Sequence, residues 1–355
     1  MSATLTKPEP HSAPGPGAGT PGRGAAARGA LGAALRSREI AVAIFLLAVI
    51  AVATVRNDSF LLTGDGWRDL LLTPSILLLL AAGQMMVIVT RSVDLSVGST
   101  MALTAYLTGR LFIDVPGIPI IVVVLAGVAL GAFLGVINGV LVAYAQVPAL
   151  VITLGTMYIY RGIMLTWAGS DRINASDMPS GFLALGTKSF LTIPLLTIVA
   201  VAVVAIVGYY LHTARSGREL YAIGSDPDAA KLYGLKVPTR VLTAFVLCGA
   251  LAGLAGVVHA ARYGTVSSGV GNGIELQAVG AAVIGGVAIF GGSGTVWGAA
   301  IGAVLLVTIN RALPILGIPD FWQRAVVGAL ILGAVVLDRI LALRQARKFD
   351  EEREG

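Results

Sequence analysis

The sequence predicts an all-α polytopic membrane protein of about ten transmembrane helices with an inverted internal repeat. Three observations lead there. The 355-residue chain is 56% hydrophobic and only 12% charged, with a mean hydropathy of +0.86; a soluble domain carries about 25% charged residues. Apolar runs recur along nearly the whole length, each close to the ~20 residues a helix needs to cross ~30 Å of hydrocarbon. Glycine is abundant, at 45 residues, and lies inside those runs, where small residues let helix backbones touch. The runs are read as helices because lipid offers backbone groups no other partner.

Residues 1–38, rich in Pro, Gly, Ala and Ser and carrying Arg23, Arg28, Arg36 and Arg38, read as a disordered basic cytoplasmic tail. The first apolar run begins near Ile40, too far from the start for a cleaved signal peptide. The transmembrane domain, 39–343, divides into spans at about 40–55, 70–90, 95–113, 118–143, 149–168, 192–213, 241–261, 276–290, 296–317 and 322–343. Pro74 interrupts the second, and Gly285-Gly286 and Gly291-Gly292 bracket the eighth. Residues 344–355 form a second cytoplasmic tail, with Arg344, Arg347, Lys348 and Arg353. The longest polar loop, 214–240, carries Arg215, Arg218, Lys231, Lys236 and Arg240. Ten spans put this loop and both tails on one side, and the excess of Lys and Arg makes that side cytoplasmic.

The fourth span carries Gly127, Gly131, Gly135 and Gly139, an every-fourth-residue ridge on one helix face. It predicts close packing on a neighbour; Asn138 beside it is a candidate for lining a path. A weak repeat supplies the internal symmetry. Val93-Asp94-Leu95-Ser96 before Val97-Gly98-Ser99 resembles Ile274-Glu275-Leu276-Gln277 before Val279-Gly280-Ala281. Gly131-Ala132 with Gly135 resembles Gly298-Ala299 with Gly302, and Val147-Pro148 resembles Ile318-Pro319. Spans 2–5 and 7–10 begin on opposite sides, the arrangement from which many transporters build a central pathway.

Asp94 and Glu275 precede apolar helices and read first as caps meeting the positive helix end, with proton coupling as the rival. Arg161 and Arg311 lie inside apolar runs and must face protein or water; snorkelling or carbonyl capping stands beside a path-lining role. Thr153, Thr156 and Arg161 on the fifth span, with Asn138, are the candidate path residues. His259 and Arg262 read as interfacial. Three histidines and one cysteine, Cys248, give no metal-ligand spacing. No GxxxxGK[ST] sequence and no Ser/His/Asp constellation occurs, so no catalytic residue, metal or cofactor is expected and any ATP would be bound by another chain.

Within the basic loop, Asp226 is suited to an N-cap, Pro227 to the first helical position and Gly234 to a left-handed stop. They predict a helix of about two turns that docks a partner. Asp226, Ala229, Ala230 and Gly234 are the candidate coupling residues, with small Ala230 expected to let the partner approach closely.

Three stretches resemble signatures of the sugar permeases of bacterial ATP-binding-cassette importers. They are Thr90-Arg91-Ser92-Val93-Asp94-Leu95-Ser96-Val97-Gly98-Ser99, Val147-Pro148-Ala149 through Thr153-Leu154-Gly155-Thr156 to Tyr160-Arg161-Gly162, and Gly285-Gly286 through Phe290-Gly291-Gly292-Ser293-Gly294-Thr295. The likeness covers about 40–343. It implies a type II importer permease fold and a non-enzymatic subunit that carries a monosaccharide or related small polar solute. The implied partners are a separate ATPase subunit, an extracytoplasmic sugar-binding protein and a second permease subunit, identical or not, in the lipid of the cell membrane; nucleic acid is not among them. It also matches Ala230 and Gly234 to the family's coupling loop and implies that the fifth and tenth spans line the pathway. Thr90-Arg91, where ribose-type members usually carry two glycines at Arg91-Ser92, leans toward the rhamnose and quorum-signal furanose permeases, as does Asn174-Ala175-Ser176-Asp177-Met178-Pro179. A self-sufficient carrier or channel for a small polar solute is the other functional class the residues allow.

Overall fold

The computed structural model describes residues 38–333, 335 and 336; most of the two tails read from the sequence lies outside the described residues. The helices are α1 (Arg38–Arg56), α2 (Gly64–Leu72), α3 (Ser75–Val89), α4 (Val97–Asp114), α5 (Ile120–Ala143), α6 (Ala149–Ala168), α7 (Ser180–Thr187), α8 (Leu195–Thr213), α9 (Arg215–Ser225), α10 (Pro227–Leu232), α11 (Val237–Tyr263), α12 (Ile274–Ile284), α13 (Val296–Ile315) and α14 (Gln323–Gly333). A two-residue hairpin, β1 (Ser189–Phe190) with β2 (Ile193–Pro194), precedes α8. The chain is an all-α polytopic membrane protein. Among the described residues, seven segments are long and apolar enough to cross a membrane: α1, α2 with α3, α5, α6, α8, α11 and α13. The shorter apolar helices α12 and α14 and the more polar α4 stand beside them.

The second span breaks where Pro74 removes a backbone donor. Side chains satisfy the carbonyls around the break: Thr197 donates to Leu71 O at 3.0 Å, and Arg262 to Leu72 O at 3.1 Å and Thr73 O at 3.0 Å. Lipid could not supply those partners. Beyond the break every residue of α3 is buried, which makes α3 the axis of the bundle, packed by α8, α11, α12 and α13.

The glycine ridge of α5 packs on α11. A methyl on Gly131 would collide with Gly249 O and one on Gly135 with Phe245 O, while a methyl on Gly249 would collide with Gly131 O and one on Gly253 with Gly127 O. The contact is therefore glycine on glycine from both sides, as the ridge predicted. The second unit uses its glycines in the same way: a methyl on Gly298 would collide with Gly285 O, one on Gly285 with Gly298 O, and one on Gly302 with Ala281 O. The resemblance between those two glycine pairs is matched by equivalent contacts, since Gly131 and Gly135 meet the carbonyls of Gly249 and Phe245 as Gly298 and Gly302 meet those of Gly285 and Ala281.

Two sequence expectations change. The eighth span ends at Ile284, with 285–295 forming a loop, because Gly286 takes φ +97° and stops the helix. At 11 residues, α12 covers about 16 Å, so the chain on either side must complete the crossing. The basic loop holds two helices rather than one: α9 escapes the sequence pattern because its buried apolar side chains, Leu220 and Ile223, are too few among polar neighbours to register as an apolar run.

Candidate functional site

The predicted docking helix forms as α10. Asp226 accepts from Asp228 N and Ala229 N, both at 3.0 Å, and Pro227 occupies its first turn. Gly234, at φ +77°, ends it: Gly234 N donates to Lys231 O at 2.9 Å and Leu235 N to Ala230 O at 3.0 Å. One expectation is overturned. Ala230 is only 4% exposed and turns into the chain beside α9 and α11, so no partner can approach it. The six-residue helix has one inward side, and the small methyl lets it lie flat against the bundle. What projects instead is a pair the sequence reading passed over, Leu232 at 89% and Tyr233 at 87% exposure. Two adjacent apolar side chains in a polar, charged loop were the available signal.

Just behind α10, Glu219 of α9 lies between Arg215, at 2.8 Å, and Arg240 of α11. Hydrogen bonding from Arg240 first, and from Arg215, holds the Glu219 carboxyl below the usual carboxylate range against the opposing effect of burial. This pairing fastens α9 to α11 on either side of the docking helix.

Deeper in the bundle the chain from Thr90 to Ser96 runs non-helically between α3 and α4. Such backbone is tolerated at membrane depth only where protein buries it, and two of the candidate path residues, Asn138 and Thr153, bond to this segment here. Thr153 donates to Val93 O at 3.1 Å. Asp94, 2% exposed, accepts from Ser96 N at 2.9 Å and Ser96 Oγ at 2.7 Å. Asn138 Nδ2 donates to Ser96 Oγ at 2.8 Å and reaches Asp94 at 3.4 Å. Gln84, with its amide turned to satisfy both groups, pairs with Asp94 N and Asp94 O at 3.1 Å each. Tyr160 closes the cluster by donating to Leu134 O at 3.0 Å. Asp94 therefore caps the turn before α4, and Asn138, Thr153 and Thr156 all point into the subunit. The position of Gln84, mid-helix among apolar neighbours, was the signal for its part.

This buried break brings the two repeat units together. A methyl on Gly98, at the start of α4, would stand 2.5 Å from Glu275 Oε2 and 2.7 Å from Gly271 O. The N-termini of α4 and α12 thus meet inside the bundle, and Glu275 accepts from Gly273 N at 3.2 Å. Arg161 of α6, half-buried, donates to Val270 O at 2.5 Å in the adjoining loop. Arg311 caps Gly66 O at 3.0 Å and lies 4.6 Å over the Phe60 ring, the carbonyl-capping alternative of its two readings.

On the face away from the basic loop, a cavity of about 600 Å³ opens between α2, α3, α11, α12 and α13. Asp69, His259, Arg262, Gln277, Asn310 and Arg311 line it, and His259 Nδ1 and Asn310 Oδ1 are buried there without a hydrogen-bond partner. Apolar spans have no structural need for so many amides and cations in one place. Among the described residues no group of three or more His, Cys, Asp or Glu could hold a metal ion.

Residues 67–335 match the family model described as branched-chain amino acid transport system / permease component. The chain is 36% identical over 312 residues to the autoinducer 2 import system permease protein LsrC of Enterobacter sp. (strain 638), covering 88% of this chain and 89% of that one. It is 39% identical over 263 residues to LsrC of Salmonella typhi, covering 74% and 75%. It is 34% identical over 300 residues to the D-allose transport system permease protein AlsC of Escherichia coli (strain K12), covering 84% and 91%. No solved structure matches.

Proposed function

We propose that this chain, which belongs to the branched-chain amino acid transport system / permease component family, is the membrane subunit of an ATP-driven importer for an uncharged, monosaccharide-sized solute. The observation that carries the reading is α10. A helix of six residues is not stable alone in water, yet this one is capped at both ends, seated on the bundle through Ala230, and holds Leu232 and Tyr233 out to a partner. The chain carries no phosphate-cradling loop of its own, so the partner that drives transport is a separate ATPase. An extracytoplasmic binding protein delivers the solute, and a second permease subunit completes the path. The solute class follows the relatives named for autoinducer 2 and D-allose. The amide- and guanidinium-lined cavity supports it, since a neutral polyol needs hydrogen-bonding groups rather than a deep ionic site.

Coupling rests on Asp226 and Gly234 as the stops of α10, on Ala229 within its first turn, and on Ala230 as its seat. The basic face is the cytoplasmic one, and both termini lie there. The path is bordered by α6: Arg161 holds the 264–273 loop, Asn138 and Thr153 fix the wall formed by residues 90–96, and Thr156 donates to Thr153 O beside it. Reconstitution tests the whole reading. Vesicles holding the permease, the ATPase and the binding protein should accumulate labelled D-allose or autoinducer 2 only when ATP is supplied, and the purified chain alone should not. ATP-independent uptake by the chain alone would replace this reading with a self-sufficient carrier.

A further inference from the structure

Arg91 reaches from the end of α3 to the base of α10. It follows the last turn of α3 and takes φ +64°, a left-handed conformation that costs any residue other than glycine. Its guanidinium repays that posture. Arg91 Nε donates to Gly224 O at 2.6 Å and Nη2 to Ser225 O at 2.6 Å. These are the last two residues of α9, directly before the cap Asp226. Carbonyls at a helix C-terminus lack an intrahelical partner and carry the negative end of the dipole, so a cation is the side chain that fits them.

The same place gathers a third strand of backbone. Gly292 N donates to Val89 O at 2.9 Å. A methyl on Gly291 would stand 2.5 Å from Arg91 Cγ, and one on Gly292 would stand 2.8 Å from Ser225 Cα. Gly224 leaves no room for a methyl against Val89 O. The end of α3, the end of α9 and the 285–295 loop are therefore interlocked at backbone distance. From this junction residues 90–96 lead to the start of α4, and residues 285–292 lead back to the end of α12. Those are the two helices whose leading ends meet at Gly98 and Gly271.

We propose that Arg91 is a positioning residue that joins α10 to α4 and α12, so that a displacement of α10 moves the meeting point of the two repeat units. The proposal rests on the ATP-driven reading above and adds the route by which force enters the membrane. A rigid, glycine-packed junction passes on a displacement because its backbones have no side chains to deform. Its two attachments act on different ends of the two helices, the leading end of α4 and the trailing end of α12.

The test uses the assembled complex of the permease with its ATPase and needs no solute. A cysteine placed at Gln277 on α12 reports on the outer cavity, and the native Cys248, 1% exposed, is a quiet background. ATP should change the labelling rate of the Gln277→Cys complex several-fold. Arg91→Gly removes both hydrogen bonds while suiting the left-handed backbone, so the complex should assemble and melt as before, yet lose most of the ATP-dependent change. Arg91→Lys, able to restore one bond, should recover part of it. An ATP response in Arg91→Gly equal to that of the parent overturns the proposal. So does absence of any ATP response in the parent complex, or loss of assembly in both Arg91 variants, which would make Arg91 merely structural. Failure of the ATPase to bind the parent permease would instead overturn the ATP-driven reading.

Discussion

Leu232 and Tyr233 put apolar surface into water at the tip of α10, a cost that burial against a partner would recover. Leu232→Ala and Tyr233→Ala should each weaken ATPase co-purification about ten-fold, leaving folded yield unchanged. Full co-purification with both changes present would mean that the partner docks elsewhere. Glu219 makes a different prediction. Its carboxyl is held below the ordinary value of 4.5 in the folded state, so the unfolded chain binds its proton first as pH falls. The stabilisation from its two arginines is complete above that ordinary value and is lost as pH drops through the depressed one. Thermal unfolding in detergent should therefore show a fall in Tm below about pH 4.5, and Glu219→Gln should be less stable at pH 7 with a shallower acid slope. An unchanged acid slope in the glutamine variant would show that other carboxylates set it.

At the scale of elements, the α5–α11 pair is held by backbone approach rather than by a hydrophobic drive, since lipid is as apolar as the helix surface. Gly135→Ala should cost about 1–3 kcal/mol through overpacking, and Gly131→Leu should lower folded yield severely, because the colliding atoms are backbone carbonyls. Monodispersity after extraction measures both. Gly155, with nothing near a methyl at its position, is the matched control within the subunit. The break at Pro74 depends on Arg262 in the same way: with the guanidinium gone, Leu72 O and Thr73 O lose their donors inside the bundle. Arg262→Met keeps much of the side-chain bulk and should lose about 1–3 kcal/mol for the carbonyls left unpaired.

At the scale of the molecule, the proposed orientation with the basic loop on the cytoplasmic side makes a labelling prediction. Cysteines introduced at Lys188 and Lys231, both exposed, should label from opposite sides of intact cells, Lys188→Cys from outside and Lys231→Cys only after permeabilisation. The reverse pattern would invert the orientation. The bundle itself is organised around α3, which is buried throughout, while α1, α6 and α8 keep much of their surface exposed. Those outer faces are apolar, as lipid or a second subunit requires.

Composition and local chemistry by themselves determined the class of the protein, its recurring membrane-spanning helices, the glycine ridge, the capped helix within 226–234 and the motifs that placed the chain in its family. Each depends only on a residue and its near neighbours along the chain: a cap needs its next turn, and a ridge needs its own period. The tertiary structure alone decided that the ridge meets Gly249 and Gly253, that Ala230 faces inward, that Asp94 is buried beneath Asn138, and that Arg91 reaches Gly224 and Ser225. The reason is the solvent. In water, the contrast between apolar and polar faces tells which side of a helix is inside; in lipid both sides are apolar, so the pattern along the chain says that a helix is in the membrane without saying which neighbour it chooses.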